Sequence, residues 1–254
     1  MLQALIWDVD GTLAETEEAG HREAFNRAFA EAGLPWVWSH DTYRRLLAVT
    51  GGKERISAWW HELDPQAAAA GAATVRRLHA RKTELYGELL RQGAVPLRPG
   101  VERLIREAHR AGVRQAIATT TTPENVTTLL DVTLGPQAHG WFEVIGAGDI
   151  VAAKKPAPDI YLWVLQRLNL GAAQCMALED SAAGARAALA AGLATVVTRS
   201  AYTQHESLPQ VLADLSDLGE PDRDAQGLVQ GRAWAGCVDL AWLKRWQPEW
   251  KKAC

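Results

Sequence analysis

From Pro96 onward, short apolar runs alternate with amphipathic stretches, and this alternation restricts the fold more than any other feature of the chain. Residues 113–119, 142–145, 175–178 and 194–197 read as strands. Between them, Val101, Leu104, Ile105 and Ala108 share one helix face, with Gly112 where a C-cap belongs. Pro158 and Asp159 open a helix with Ile160, Trp163, Val164 and Leu168 on its apolar face, and residues 181–191 form a small-residue helix stopped by Gly192. Strand–helix alternation of this kind predicts an α/β fold with a parallel sheet covered on both faces. A first strand, residues 2–7, stands apart from the rest and ends in Asp8-Val9-Asp10-Gly11-Thr12. The stretch after it is helical: Ala24, Phe25, Ala28 and Phe29 keep helical spacing, Gly33 is a stop, Thr50-Gly51-Gly52-Lys53 is a loop, and residues 67–91 are helix formers. The expected organisation is a core of residues 1–15 and 96–220, a helical insertion at 16–95, and an extension at 221–254.

Composition narrows the function. With 254 residues, 48% of them hydrophobic, the chain can build a full core. Its net charge of −3, with no basic block, argues against nucleic acid as a partner. No apolar run is long enough for a transmembrane segment, and the N-terminus turns acidic too soon for a signal peptide. Cys175, Cys237 and Cys254 have no metal-ligand or redox spacing, which suits a cytoplasmic protein. A monomer is expected.

Four polar clusters follow four predicted strands: Asp8 and Asp10, residues 119–122, Lys154 and Lys155, and Glu179 and Asp180. In doubly wound sheets the strand ends are where residues distant in sequence converge on a ligand. The carboxylates repel one another unless a cation sits among them, and oxygen-only ligands favour Mg²⁺ over zinc. Lys155 supplies charge against a phosphate, and Thr119 a hydroxyl donor. Together these are the parts of phosphoryl transfer: a carboxylate nucleophile, a metal and stabilisers of the transferring oxygens. Taken singly, each cluster has a bland reading as a turn, a helix cap or a surface loop. Four in this order, each after an apolar strand, do not.

These residues resemble the four motifs of the haloacid-dehalogenase (HAD) superfamily: Asp8 to Thr12 the first, Thr119 the second, Lys155-Pro156-Ala157-Pro158-Asp159 the third, and Leu178 to Gly184 the fourth. The resemblance covers roughly residues 1–215. It implies a HAD-like Rossmannoid sheet with an inserted all-helical C1-type cap. It also implies that Asp8 attacks phosphorus, that Asp10 acts as acid and base, and that Thr119 and Lys155 hold the phosphoryl oxygens. Mg²⁺ is then held by Asp8, the Asp10 carbonyl and Asp180, with Glu179 in or beside its shell. Residues 14–18, 50–56, 78–84, 119–125 and 202–206 are similar to the CbbY-like branch, which removes a phosphate from xylulose 1,5-bisphosphate, a Rubisco inhibitor. A small phosphorylated sugar is therefore the expected substrate.

Substrate contacts are expected from Glu17, Gly51, Gly52, Lys53, Glu54, Arg55, Thr119, Thr120 and Thr121. Gly51 and Gly52 let the backbone approach a ligand, while Lys53 and Arg55 suit a second phosphate. Ala19-Gly20 adds a residue between Glu17 and His21, which argues against a substrate contact for His21. His79 and Lys82 read as solvated helix positions. Hinges are expected near residues 14–17 and 93–96. Trp242, Trp246 and Trp250 are four apart but interrupted by Pro248, and they read as a tail covering the chain's own core rather than a membrane or partner helix. Phosphoglycolate phosphatase, a phosphomutase similar to β-phosphoglucomutase and a silent binding protein are the alternatives.

Overall fold

The structure is a computed structural model that describes residues 2–253, and the side chains of residues 2–247. Its sheet has eight strands in the order β3-β2-β1-β4-β5-β6-β7-β8. The first, β1 (Ala4–Trp7), is fully buried between two parallel neighbours. A helical segment comes next: a six-residue π-helical turn (Glu17–Arg22), then α1 (Glu23–Glu31), α2 (His40–Leu46), α3 (Gly52–Leu63), α4 (Pro65–Ala69) and α5 (Ala72–Arg91). After it come α6 (Val101–Arg110), β2 (Arg114–Ala118), α7 (Pro123–Leu134), β3 (Val144–Gly146), α8 (Asp159–Leu168), β4 (Cys175–Glu179), α9 (Ala182–Ala190) and β5 (Ala194–Thr198). The sheet is completed by β6 (Ala213–Leu215), β7 (Ala225–Val229) and β8 (Arg232–Gly236), and the chain closes on α10 (Leu240–Ala253).

β1 sits at the switch point of the sheet, since β2 and β3 build to one side of it and β4, β5 and β6 to the other, all parallel. Trp7 is paired with both Ile117 and Leu178, so Asp8, one residue on, stands level with Ala118 and Glu179. The ladder hydrogen bonds hold this alignment, and the alternation of Leu5 and Trp7 with Ala4 and Ile6 between the two cores selects its register. Two apolar clusters cover the two faces of the sheet, and a third, built on Phe25, Phe29, Trp38, Tyr43 and Ile56, is the core of the helical segment. The two crossings between segment and sheet run side by side, where Ala14 bridges Leu97 and Leu13 accepts from the Arg98 amide at 2.8 Å.

The C-terminal region joins the sheet. β7 pairs with β6 and β8 with β7, both antiparallel, so residues 225–236 do not stand apart from it. Nor does Pro248 interrupt α10, which runs through it. Trp234, Trp242 and Trp246 pack on the main core, as a tail covering its own core would. Trp250, Lys251, Lys252 and Cys254 have side chains outside the described residues. Among the described residues, no helix is long and apolar enough to cross a membrane.

Candidate active site

Asp8 leaves β1 at the carboxyl end of the central strands, with its amide bonded to Leu178 O at 3.0 Å. Lys155 Nζ donates to Asp8 Oδ1 at 2.6 Å, and Thr12 Oγ1 to Oδ2 at 3.1 Å. Lys155 is itself pinned by Ala118 O at 2.9 Å and Glu179 Oε1 at 2.6 Å, with Tyr161 also donating to Glu179 Oε1. All of these groups are buried. Burial alone disfavours the Lys155 ammonium, but Asp8 and Glu179 more than offset this and push its pKa up. Burial, with Glu179 and Asp10 nearby, lifts Asp8 to about 7 despite Lys155. Asp180 rises well above its ordinary value, through burial and the charges of Asp8 and Glu179.

Oxygens of Asp8, Glu179 and Asp180 lie within 4.8 Å of one another. Three buried carboxylates face a single buried ammonium, so the cluster is short of positive charge. A hard divalent cation suits that deficit, because every ligand atom is oxygen. Gly11 makes room for the cluster: at φ +83, a Cβ there would meet Asp180 Oδ2 at 2.1 Å. Its loop is held by Arg98, a buried residue missed in the sequence. The Arg98 guanidinium donates to Gly11 O, to Thr198 O at 2.7 Å, to Arg199 O at 2.7 Å and to Ser216 O at 2.8 Å. One side chain thereby ties the loop after β1 to the ends of β5 and β6.

Asp10 faces the other way. Its Oδ1 accepts from Thr16 at 2.7 Å and contacts His21 Nε2 at 2.8 Å. Burial would raise its pKa, but the charge and hydrogen bond of His21, with Thr16 and Lys82, hold it down at about 2. Lys82 Nζ lies 2.6 Å from His21 Nδ1 and over the rings of Phe25 and Tyr86. Only 4% of Lys82 is exposed, so the reading of it as a solvated helix position is overturned. Burial brings its pKa down to about 8, against the pull of Asp10 and Glu17. His21 is likewise in the site: the π-helical turn takes up a wider loop of chain than an α-turn, and the added residue does not push His21 out. His79 also lines the cavity, and burial, with the charges of Lys82 and Lys53, brings it down to about 4.

The helical segment closes over the strand ends and leaves a cavity of about 670 Å³, enough for a small phosphorylated molecule. Glu17, Gly51, Gly52, Lys53, Arg55, Thr119, Thr120 and Thr121 all line it. Glu54 does not; it points to Lys154 at the rim. Glu17 accepts from Tyr43 Oη at 2.5 Å, which accepts from Arg55 Nη1 at 3.0 Å. Lys53 is bound to Asp149, across the mouth of the cavity. Thr119, one residue past β2, is buried, and its Oγ1 accepts the Thr121 amide at 3.2 Å.

This constellation, on a sheet with its switch point at β1, matches a known class. A family model described as haloacid dehalogenase-like hydrolase matches residues 2–192. The chain belongs to that family, and it is a phosphatase of it. It is 49% identical to the plasmid-borne protein CbbY of Cupriavidus necator over 249 residues, 96% of each chain, so the likeness runs well past the residue-215 limit read from the motifs. The crystal structure of CbbY from Rhodobacter sphaeroides with phosphate is similar at a TM-score of 0.79 and 43% identity, covering 87% of this chain and 97% of that one. A mutant of the same protein, crystallised with xylulose 1,5-bisphosphate, matches at 0.79 and 44% over the same shares.

Proposed function

We propose that this phosphatase hydrolyses a sugar bisphosphate, xylulose 1,5-bisphosphate in particular, through an aspartyl-phosphate on Asp8, and so removes a Rubisco inhibitor. The observation that carries the chemistry is the Asp8 carboxylate, lining the cavity and held at both oxygens, one by Lys155 at 2.6 Å and the other by Thr12 at 3.1 Å. A carboxylate so oriented is a nucleophile with its direction fixed in advance. Attack forms the Asp8 O–P bond and breaks the bond from phosphorus to the sugar oxygen, and the alcohol leaves with a proton. Water then attacks the phosphorus of the acyl phosphate, returning Asp8 and releasing inorganic phosphate.

Lys155 and Thr119 carry the charge that builds on the phosphoryl oxygens. Asp10 is the acid and base. In its present contacts with Thr16 and His21 it is an ionised acceptor, and it must exchange these for a proton and the leaving oxygen. Mg²⁺ fits the oxygen-only, charge-deficient cluster of Asp8 and Asp180, with the Asp10 carbonyl as a further ligand; Glu179, whose Oε1 is taken by Lys155 and Tyr161, is the outer member. When bound, the metal neutralises charge on the phosphoryl group and on Asp8.

The choice of substrate rests on the helical segment. Glu17 is an acceptor for sugar hydroxyls, while Arg55 and Lys82 are buried cations suited to an anionic substrate. The similarity to a protein crystallised with xylulose 1,5-bisphosphate supports this choice. The test is phosphate release, with Mg²⁺ and with chelator, from xylulose 1,5-bisphosphate, ribulose 1,5-bisphosphate, fructose 1,6-bisphosphate, phosphoglycolate and β-glucose 1-phosphate. Mg²⁺-dependent release fastest from xylulose 1,5-bisphosphate is expected. A preference for phosphoglycolate, or phosphate retained on a sugar, would sink the substrate reading.

A further inference from the structure

Two pairs of residues, one on the helical segment and one at the sheet edge, meet at the mouth of the cavity. Lys53 and Glu54 lie in the first turn of α3, and Asp149 and Lys154 in the loop between β3 and α8. Asp149 accepts from Lys53 and, at 3.0 Å, from Lys154, and Lys154 donates to Glu54 at 3.0 Å. Charge alternates along Lys53, Asp149, Lys154 and Glu54, so the set is neutral and closes without a ligand. The backbone is shaped to it. Gly51 has φ +101, and a Cβ there would lie 2.7 Å from Lys154 Nζ and 2.2 Å from Glu54 Oε2. A Cβ at 51 would have to displace these two side-chain ends, on a backbone that residues other than glycine rarely adopt.

A second contact spans the opposite side. Tyr202, beyond β5, donates to Glu18 and stacks on His40 with ring centroids 4.7 Å apart. The two contacts differ in kind. Tyr202 is buried among aromatic rings, whereas Asp149 is 56% and Glu54 44% exposed at the side chain.

We propose that Asp149 is a positioning residue, the centre of an ionic clasp that holds the turn of residues 51–55 closed over the phosphoryl site and retains Lys53 at the rim. Because both carboxylates of the clasp are exposed, although Lys154 is only 15% so, salt competes with it: screening sets in at about 8 Å at physiological ionic strength and about 3 Å at 1 M. The Tyr202 contact has a buried neutral donor, although its acceptor Glu18 is 46% exposed and paired with Arg22. The proposal rests on the phosphatase reading only for its kinetic arm; its main test needs no turnover.

That test is amide hydrogen exchange of residues 50–56 in the full chain without substrate, at low and high NaCl. Wild type should exchange about 2–5 times faster at high salt, the effect expected of exposed ion pairs. Asp149→Asn should exchange at the fast rate at both salts, and Asp149→Glu should restore the slow, salt-sensitive behaviour. Tyr202→Phe should keep the salt response at residues 50–56. In the kinetic arm, Asp149→Asn should raise KM for the sugar bisphosphate by a similar factor and remove its salt dependence. Slow exchange in Asp149→Asn, salt-indifferent exchange in wild type, or loss of the salt response in Tyr202→Phe would each overturn the clasp. Absence of phosphatase activity with the exchange pattern intact would overturn the function and leave the clasp standing.

Discussion

Asp8, Thr119, Glu179 and Asp180 stand on the last residue of a strand or within one residue of it, and the parallel ladder sets them side by side. Across the cavity, Glu17, His21, Arg55 and Lys82 stand on helices, and each reaches its place through other side chains: Arg55 through Tyr43 to Glu17, Lys82 through His21 to Asp10. Backbone geometry brings the first set together, with side-chain bonds only orienting it, whereas the second set is assembled by side-chain bonds. In the proposed reading, the first half holds the reacting atoms in line. The second half, proposed to choose the substrate, joins the sheet at two adjacent crossings and makes ion pairs at its rim. A ladder tolerates changes in its side chains, whereas a chain of side-chain bonds fails when one member is lost.

That contrast predicts graded effects. Asp8→Asn should abolish turnover, by at least about a thousandfold in kcat, for every phosphate ester, because an amide cannot be the nucleophile; steady-state phosphate release checks it. Lys155→Met should lower kcat by about a hundred- to a thousandfold, the usual cost of losing a charge stabiliser. It should do so equally for a sugar bisphosphate and for a small aryl phosphate. Arg55→Gln should cost about 10–100-fold in kcat/KM on the sugar bisphosphate, as for the loss of a charged hydrogen bond, and about threefold or less on the aryl phosphate. Equal losses on both substrates would erase the division of labour between the two halves.

The smallest effect is on stability. His79 faces Lys53, Lys82, His21 and Glu54, and its pKa is brought from 6.5 down to about 4. The unfolded imidazole therefore binds its proton at higher pH than the folded one. The stability carried by neutral His79 is complete above pH 6.5 and is lost as pH falls toward 4. His79→Gln should flatten this part of the acid limb. Urea midpoints at pH 4.5 and pH 7 that fall equally in variant and wild type would contradict it.

The same contrast explains what is legible in the sequence. The strand-end clusters can be read because four of them in this order, each after an apolar strand, have few other solutions. Lys82 and His79 cannot: helical spacing tells which residues share a face, but not that this face meets Asp10 rather than water. An added residue ahead of His21 should rotate it out of place on a regular helix, but a π-helical turn absorbs it. Arg98 carries no motif, and its role exists only where separate chain segments converge. The β7–β8 hairpin does leave a signal. Gln230 and Gly231, both at positive φ, make a two-residue turn between runs rich in small and apolar residues, but Gly227 inside the first run and Gly236 at the end of the second hide the strands.

The most direct test of the account is to trap the intermediate. Enzyme mixed with Mg²⁺ and xylulose 1,5-bisphosphate, quenched in acid and reduced with borohydride, should carry homoserine at position 8 when its peptides are sequenced by mass spectrometry. Phosphate release with Asp8 unmodified, or reduction at another carboxylate, would contradict it.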